Sequence, residues 1–252
     1  MFGDLWLVPL GAVAGVLGSM IGLGGGIIVV PVLTFLGFPP AVAASNSLFA
    51  AFGNAAASTV SYSRQKRIDY GAGLKLGLLS VPGTVLGAFV SGDVAPEAFK
   101  ALFALVLIAS GIYIFLRKGM RTKKDNAAHA ALVLAVAASF FAGTISSFFG
   151  IGGGIVFVPL MVVAMGMSMK RAAPTSQFVL LFASFSGLAV HSALGHPDFL
   201  QALYLAAGAS VGGVIGARIS LDIREGYLRI LASAALFIAA AKMILDSLGD
   251  AI

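Results

Sequence analysis

Gly22-Leu23-Gly24-Gly25-Gly26 and Gly150-Ile151-Gly152-Gly153-Gly154 are the residues of this chain whose type and spacing could do chemistry. Glycine is poor in helix interiors and permits positive φ, so each cluster should break a helix. Successive N–H groups in such a turn can form an anion-binding nest. The helix restarting at Ile27 or Ile155 adds the positive end of its dipole. Two such turns, brought together near a membrane midplane from opposite sides, would make a compact site for a small oxyanion. Gly24, Gly25, Gly26, Gly152, Gly153 and Gly154 are therefore candidate substrate-binding residues, against the competing reading that they only allow tight packing. Packing is the role expected of Gly11, Gly15, Gly18 and Gly22, of Gly83 and Gly87, and of Gly208, Gly212 and Gly216, which are spaced as small-xxx-small faces. The clusters are not a dinucleotide fingerprint, because Ile27 stands where the third glycine belongs.

A second set of candidates follows each cluster. Ser45, Asn46 and Ser47, and Thr175, Ser176 and Gln177, place neutral donors just inside apolar segments at matching positions. They would either touch a substrate or cap helix N-termini, for which Ser, Thr and Asn are favoured. Ser19, Ser146, Ser147 and Asn54 are weaker candidates, better explained by bonds between helices. Asp69 and Asp198 are expected to cap the helices that follow them. His191 and His196 flank one loop and read as interfacial histidines, with a metal or protonation role as the alternative. Every Asp and Glu lies at a segment end or in a loop, whereas a cation transporter or proton pump usually carries a carboxylate within a span. No catalytic residue, metal site or cofactor is expected: there is no H-E-x-x-H, no P-loop lysine and no cysteine.

These residues sit in an element pattern that occurs twice. Gly15–Pro31 returns as Gly143–Pro159, with nine of 17 positions identical at an offset of 128. After one inserted residue the offset is 129, pairing Ala44-Ser45-Asn46-Ser47 with Ala173-Pro174-Thr175-Ser176 and Asp69 with Asp198. A period near half the chain points to a duplicated half rather than a solenoid. The composition is 59% hydrophobic and 10% charged, against roughly 25% charged in a soluble domain. Glycine-interrupted segments at corresponding positions of two apolar halves suggest a transporter with its site where the halves meet.

Six apolar segments are long enough to span, at 42–62, 70–90, 97–116, 172–192, 199–220 and 227–248. The glycine-broken stretches 5–38 and 130–167 open the two halves. Arg64, Lys66 and Arg67, the 117–129 segment, and Lys170-Arg171 read as cytoplasmic, while the loops at 91–97 and 191–198 read as external. The loops of one half are then inverted in the other, whereas a plain eight-span count, each broken stretch crossing once, would make the halves parallel and put Lys170-Arg171 outside. The expected fold is an all-α polytopic membrane protein of two homologous, inverted halves. Each half is a re-entrant helix pair plus three transmembrane helices, occupying 1–118 and 130–252 about a basic cytoplasmic linker at 119–129.

The paired G-x-G-G-G turns with Pro31 and Pro159, and the Ala44-Ser-Asn-Ser and Ala173-Pro-Thr-Ser openings, resemble the sulfite exporter TauE/SafE family over almost the whole length. That family is also called the 4-toluene sulfonate uptake permease family. The resemblance implies a secondary transporter of the bacterial inner membrane for sulfite, sulfoacetate or other organosulfonates, with proton coupling often proposed. Expected partners are a small anionic substrate, the lipid bilayer and, in a homodimer, a second copy, but not nucleic acid. Pro174-Thr175 stands where the first half has Ser45-Asn46, so the two sides of any site would differ chemically. The alternative is an anion channel lined by the same turns. A membrane enzyme or assembly factor is disfavoured, since catalytic groups do not cluster.

Overall fold

The computed structural model describes residues 4–92, 94–116, 127–163 and 165–249. Among them the regular elements are α-helices: α1 (Leu7–Ile21), α2 (Gly26–Phe35), α3 (Pro40–Arg64), α4 (Tyr70–Ser91) and α5 (Pro96–Leu116) in the first half. The second half has α6 (Ala127–Phe149), α7 (Gly154–Val163), α8 (Met169–Ala193), α9 (Phe199–Ile219) and α10 (Glu225–Gly249). Most of the basic linker lies outside the described residues. Among the described residues four helices are long and apolar enough to cross a membrane: α4, α8, α9 and the Gly226–Leu245 stretch of α10. Leu203, Val211 and Ile238 are among the large apolar side chains exposed on these helices. α3 is also 25 residues long. Its Ser45, Asn46, Ser47, Asn54, Ser58 and Thr59 are all buried, however, so its polarity faces protein.

Each glycine cluster breaks its helix as backbone preference requires. Gly22 (φ 78°) and Gly150 (φ 71°) take the left-handed conformation. Gly22 N–H then donates to Ser19 O (3.3 Å) and Leu23 N–H to Gly18 O (2.9 Å). Gly150 N–H donates to Ser147 O (3.3 Å) and Ile151 N–H to Ser146 O (3.1 Å) in the same way. Both are Schellman endings, in which crossed bonds satisfy the last carbonyls. The restarting helices α2 and α7 are 10 residues each, about 15 Å long and short of a hydrocarbon core of about 30 Å.

The halves interlock. α1 packs on α9, α6 on α4, and α5 on α10, while α3 and α8 pack on each other and on α9 and α4 respectively. Small residues allow the closest approaches: Gly11 and Gly15 face the backbone at Leu205 and Ala209, and Gly83 and Gly87 face it at Phe140 and Thr144. Phe99 and Phe103 of α5 pack with Phe148 and Phe149 of α6 in the main apolar core.

α3 also separates two groups of loops. At its C-terminal end Gln65 Nε2 donates to Ala217 O (3.2 Å) and Arg67 Nε to Lys170 O (3.0 Å). Near its N-terminal end Asn46 bonds Asp198, in the loop after α8. The loops after α3 and α8, which correspond in the sequence repeat, therefore lie toward opposite ends of α3. Asp69 Oδ1 caps α4, accepting from Ala72 N–H (3.1 Å), and Asp198 Oδ1 caps α9, accepting from Leu200 N–H (3.1 Å) and Gln201 N–H (3.2 Å).

Candidate functional site at the paired glycine turns

The two glycine clusters meet. A Cβ placed on Gly26 would lie 2.5 Å from Ile151 Cα and 2.6 Å from Gly150 O, and one on Gly154 would lie 2.5 Å from Leu23 Cα. Real Cβ atoms do not come that close, so these positions require glycine for backbone-to-backbone contact. Gly24 and Gly152 both lie against the side chains of Ala51 on α3 and Leu180 on α8. Gly24 (φ 70°), Gly152 (φ 73°) and Gly153 (φ 93°) need positive φ as well. Gly25 O and Gly153 O accept the first bonds of α2 and α7. The N–H groups of Gly24 to Ile27 and of Gly152 to Ile155 have no acceptor among the described residues. Each turn thus presents four free donors at the start of a helix, where the dipole also favours negative charge.

Each turn rests on the other half's polar triplet. Gly22 packs on Ala173, two residues before its triplet, and Gly150 on Ala44, directly before the other. All six triplet residues are buried. In α8, Ser176 Oγ donates to Gly22 O (2.7 Å) and Gln177 Nε2 donates to Gly18 O (2.9 Å). Gln177 Oε1 accepts from Ser58 Oγ (3.3 Å) and Thr175 Oγ1 from Asp69 N–H (3.0 Å). In α3, Asn46 Oδ1 accepts from Asp198 N–H (3.0 Å), its Nδ2 donates to Gln201 Oε1 (3.3 Å), and Ser45 Oγ donates back to Val42 O (3.0 Å). Ser47 Oγ is buried without a partner, 2.9 Å from where a Gly26 Cβ would stand.

The capping alternative for these triplets is corrected. α3 starts at Pro40 after Pro39, and α8 at Met169 after Ser168, so the triplets lie inside their helices. Their bonds tie helices and turns together instead. Ser146 Oγ, Ser147 Oγ and both polar atoms of Asn54 are buried with no partner. The two serines close the helix that ends at the second turn. Bonding between helices, the role expected for them from sequence, is therefore not what they do here.

Sequence reasoning passed over Tyr62 and did not foresee the burial of His191. Tyr62 Oη donates to Ser19 O (2.7 Å), and His191 Nε2 lies 3.2 Å from Ser147 O. Both are fully buried within the protein. They occupy equivalent repeat positions, but their side chains differ, so an identity match does not flag them. Among the described residues no three His, Cys, Asp or Glu side chains gather as a metal site would need.

The model of the family "Sulfite exporter TauE/SafE" matches residues 7–243. A probable membrane transporter protein of Bacillus subtilis, YunE, is 31% identical over 268 residues, covering 96% of this chain and 97% of that protein. The probable membrane transporter protein MJ0441 of Methanocaldococcus jannaschii is 31% identical, covering 97% and 98%. YfcA of Escherichia coli K12, also a probable membrane transporter protein, is 22% identical over the full chain and 93% of its own length. No solved structure is significantly similar to the chain.

Proposed function

The chain belongs to the sulfite exporter TauE/SafE family, whose members are membrane transporters rather than enzymes, and we propose that it carries small sulfur-containing anions by alternating access. Sulfite, sulfoacetate and other organosulfonates are the substrates, and the bacterial inner membrane is the setting. The observation that carries this reading is the pair of glycine turns in mutual contact, four acceptor-free N–H groups on each. An anion leaving water needs donors that replace its hydration shell, and these backbone donors stand where negative charge is favoured.

Two further features support the mechanism. Matched loops of the two halves lie toward opposite ends of α3, as inverted halves would place them, and α2 and α7 are too short to cross by themselves. The approach of Gly26 to Ile151 also leaves no room for even a methyl group between the turns at that point. Passage then requires the halves to separate, and substrate drives that exchange only by binding one arrangement better than the other. That favours a carrier over a standing pore.

The test is a thermal-stability screen of purified protein against sulfite, sulfate, organosulfonates and carboxylates, since a ligand that binds only the folded state raises its melting point. A rise with a sulfur oxyanion is expected; a rise confined to carboxylates, or none, overturns the substrate class. Inversion is tested by single cysteines at Gln65 and Gly195. Only the latter should react with an external reagent, and labelling of both from one side rules inversion out.

A further inference from the structure

Two dyads at opposite ends of the molecule are built on the same plan. Tyr62 bonds Ser19 O, and the Arg67 guanidinium carbon lies 5.2 Å from the centre of the Tyr62 ring. At the equivalent positions, 129 residues on, His191 contacts Ser147 O and the His196 ring centre lies 5.1 Å from that of His191. Ser19 O and Ser147 O are the carbonyls that close the Schellman endings at Gly22 and Gly150. Each dyad therefore joins one glycine turn to one end of the protein.

The charged members are unmatched. Arg67 Nε donates to Lys170 O (3.0 Å), and Nη1 to Gln65 Oε1 (3.0 Å) and Ser220 Oγ (2.9 Å). Nη2 is buried with no acceptor. Among the described residues no carboxylate pairs with the charge: Asp69 turns its Oδ1 to Ala72 N–H, and the other groups facing Arg67 are Tyr62, Gln65, Lys170 and Ser220. Arg67 as a whole is half-buried, but a guanidinium nitrogen held away from water without an acceptor is costly, and a bound anion removes that cost.

His196 is the titratable version. A carbonyl only accepts, so His191 Nε2–H donates to Ser147 O and leaves Nδ1 as the acceptor for His196 Nδ1–H, 2.9 Å away. His196 Nε2 faces Gly92 at the end of α4. A proton added there creates an outward donor without breaking the dyad. Around His196 the described groups are His191 of α8, Ser147 of α6, Gly92 of α4 and Asp198, whose carboxylate is engaged by α9. Burial holds the His196 pKa below its ordinary value. At neutral pH it is then mostly uncharged, and a neighbouring anion would favour its protonation.

We propose that Arg67 and His196 are terminal anion-binding sites at opposite ends of the transport path, one permanently charged and one charged only with a proton. The ligand is a small oxyanion, and the proposal rests on the anion-carrier reading above. Linkage sets the sign: affinity at the His196 end rises as pH falls, whereas affinity at the Arg67 end does not change.

The test measures 4-toluenesulfonate binding by calorimetry on the full chain in detergent, above and below the imidazole range; this anion keeps its charge throughout. The parent should show a pH-independent component and an acid-strengthened one. Arg67→Gln should weaken the first about tenfold or more, the loss of one charge-assisted bond. His196→Gln should abolish the second, and His196→Arg should hold it at its acid strength at every pH. Since Arg67→Gln could unfold the protein, Arg67→Lys and the gain expected in His196→Arg serve as independent readings. Unchanged affinity in folded Arg67→Gln together with unchanged pH dependence in His196→Gln overturns the proposal alone. Absence of binding by the parent overturns the carrier reading as well. Retention of anionic phospholipid is measured in parallel, because a lipid phosphate shares the same chemistry. If Arg67→Gln loses phospholipid but keeps sulfonate affinity, Arg67 holds a headgroup and the proposal fails.

Discussion

The two glycine turns have nearly the same sequence but are held differently. The first is strapped from outside its own half: Ser176 donates to Gly22 O and Gln177 to Gly18 O, with Ser58 on the far side of the Gln177 amide. The second has no such strap. Ser47, the repeat partner of Ser176, leaves its hydroxyl without a partner, and so do Ser146 and Ser147 beside the turn. One departure in the triplets, Gln177 at the position of Leu48, accounts for much of this. A duplicated backbone has thus been given one fixed turn and one turn with donors to spare. On the carrier reading proposed above, the strapped turn would serve as a frame and the other would meet the ligand.

Several substitutions would break or sharpen that difference. The largest effect is expected from Gly154→Ala, which drives a methyl into the strapped first turn at Leu23, and Gly26→Ala presses in the same way on the second turn at Ile151. Overpacking costs about 1–3 kcal/mol, and Gly154→Ala should fall at the upper end with Gly26→Ala below it, read as melting temperature in detergent. Equal losses would mean that both turns are equally rigid.

Gln177→Ala comes next. It removes the donor to Gly18 O and the acceptor for Ser58 in a dry interior, at a cost of about 1–3 kcal/mol. Restoration of stability by Gln177→Glu would show that the acceptor for Ser58, not the strap to Gly18, was what mattered. Asn46→Ala and Thr175→Ala test the feature the halves share, since each removes the acceptor for the N–H of a helix-capping aspartate. Each should cost about 1 kcal/mol; a neutral result at either position would mean that water replaces the bond there. Ser47→Ala should be smallest, within about 0.5 kcal/mol of the parent, since no bond is lost. Its anion affinity should nevertheless drop, while Ser176→Ala should show the reverse order of effects. A stability loss in Ser47→Ala as large as that in Ser176→Ala would remove the distinction between the turns.

Much of the frame was legible in the sequence because it follows from local rules. Glycine clusters break helices, so the breaks at 22–26 and 150–154 follow from residue type, and Asp69 and Asp198 stand where helix caps belong. Segment ends fell within a few residues of the helices found, because the apolar runs in this chain stop at polar or charged residues. Only the tertiary structure decided what the polar residues do. The triplets looked like helix starts because the apolar run begins with them, but their helices begin five or more residues earlier, at Pro40 and Met169. Whether a buried hydroxyl is spent on a neighbour or left over depends on which carbonyl lies within about 3 Å of it. That is set by contacts far away in sequence, such as that of Ser176 with Gly22, 154 residues apart, and no local pattern encodes them. The same holds for Tyr62 and His191: composition marks them as a tyrosine and a histidine in apolar segments, and the packing of α3 and α8 on the two broken helices ties each to the end of a glycine turn.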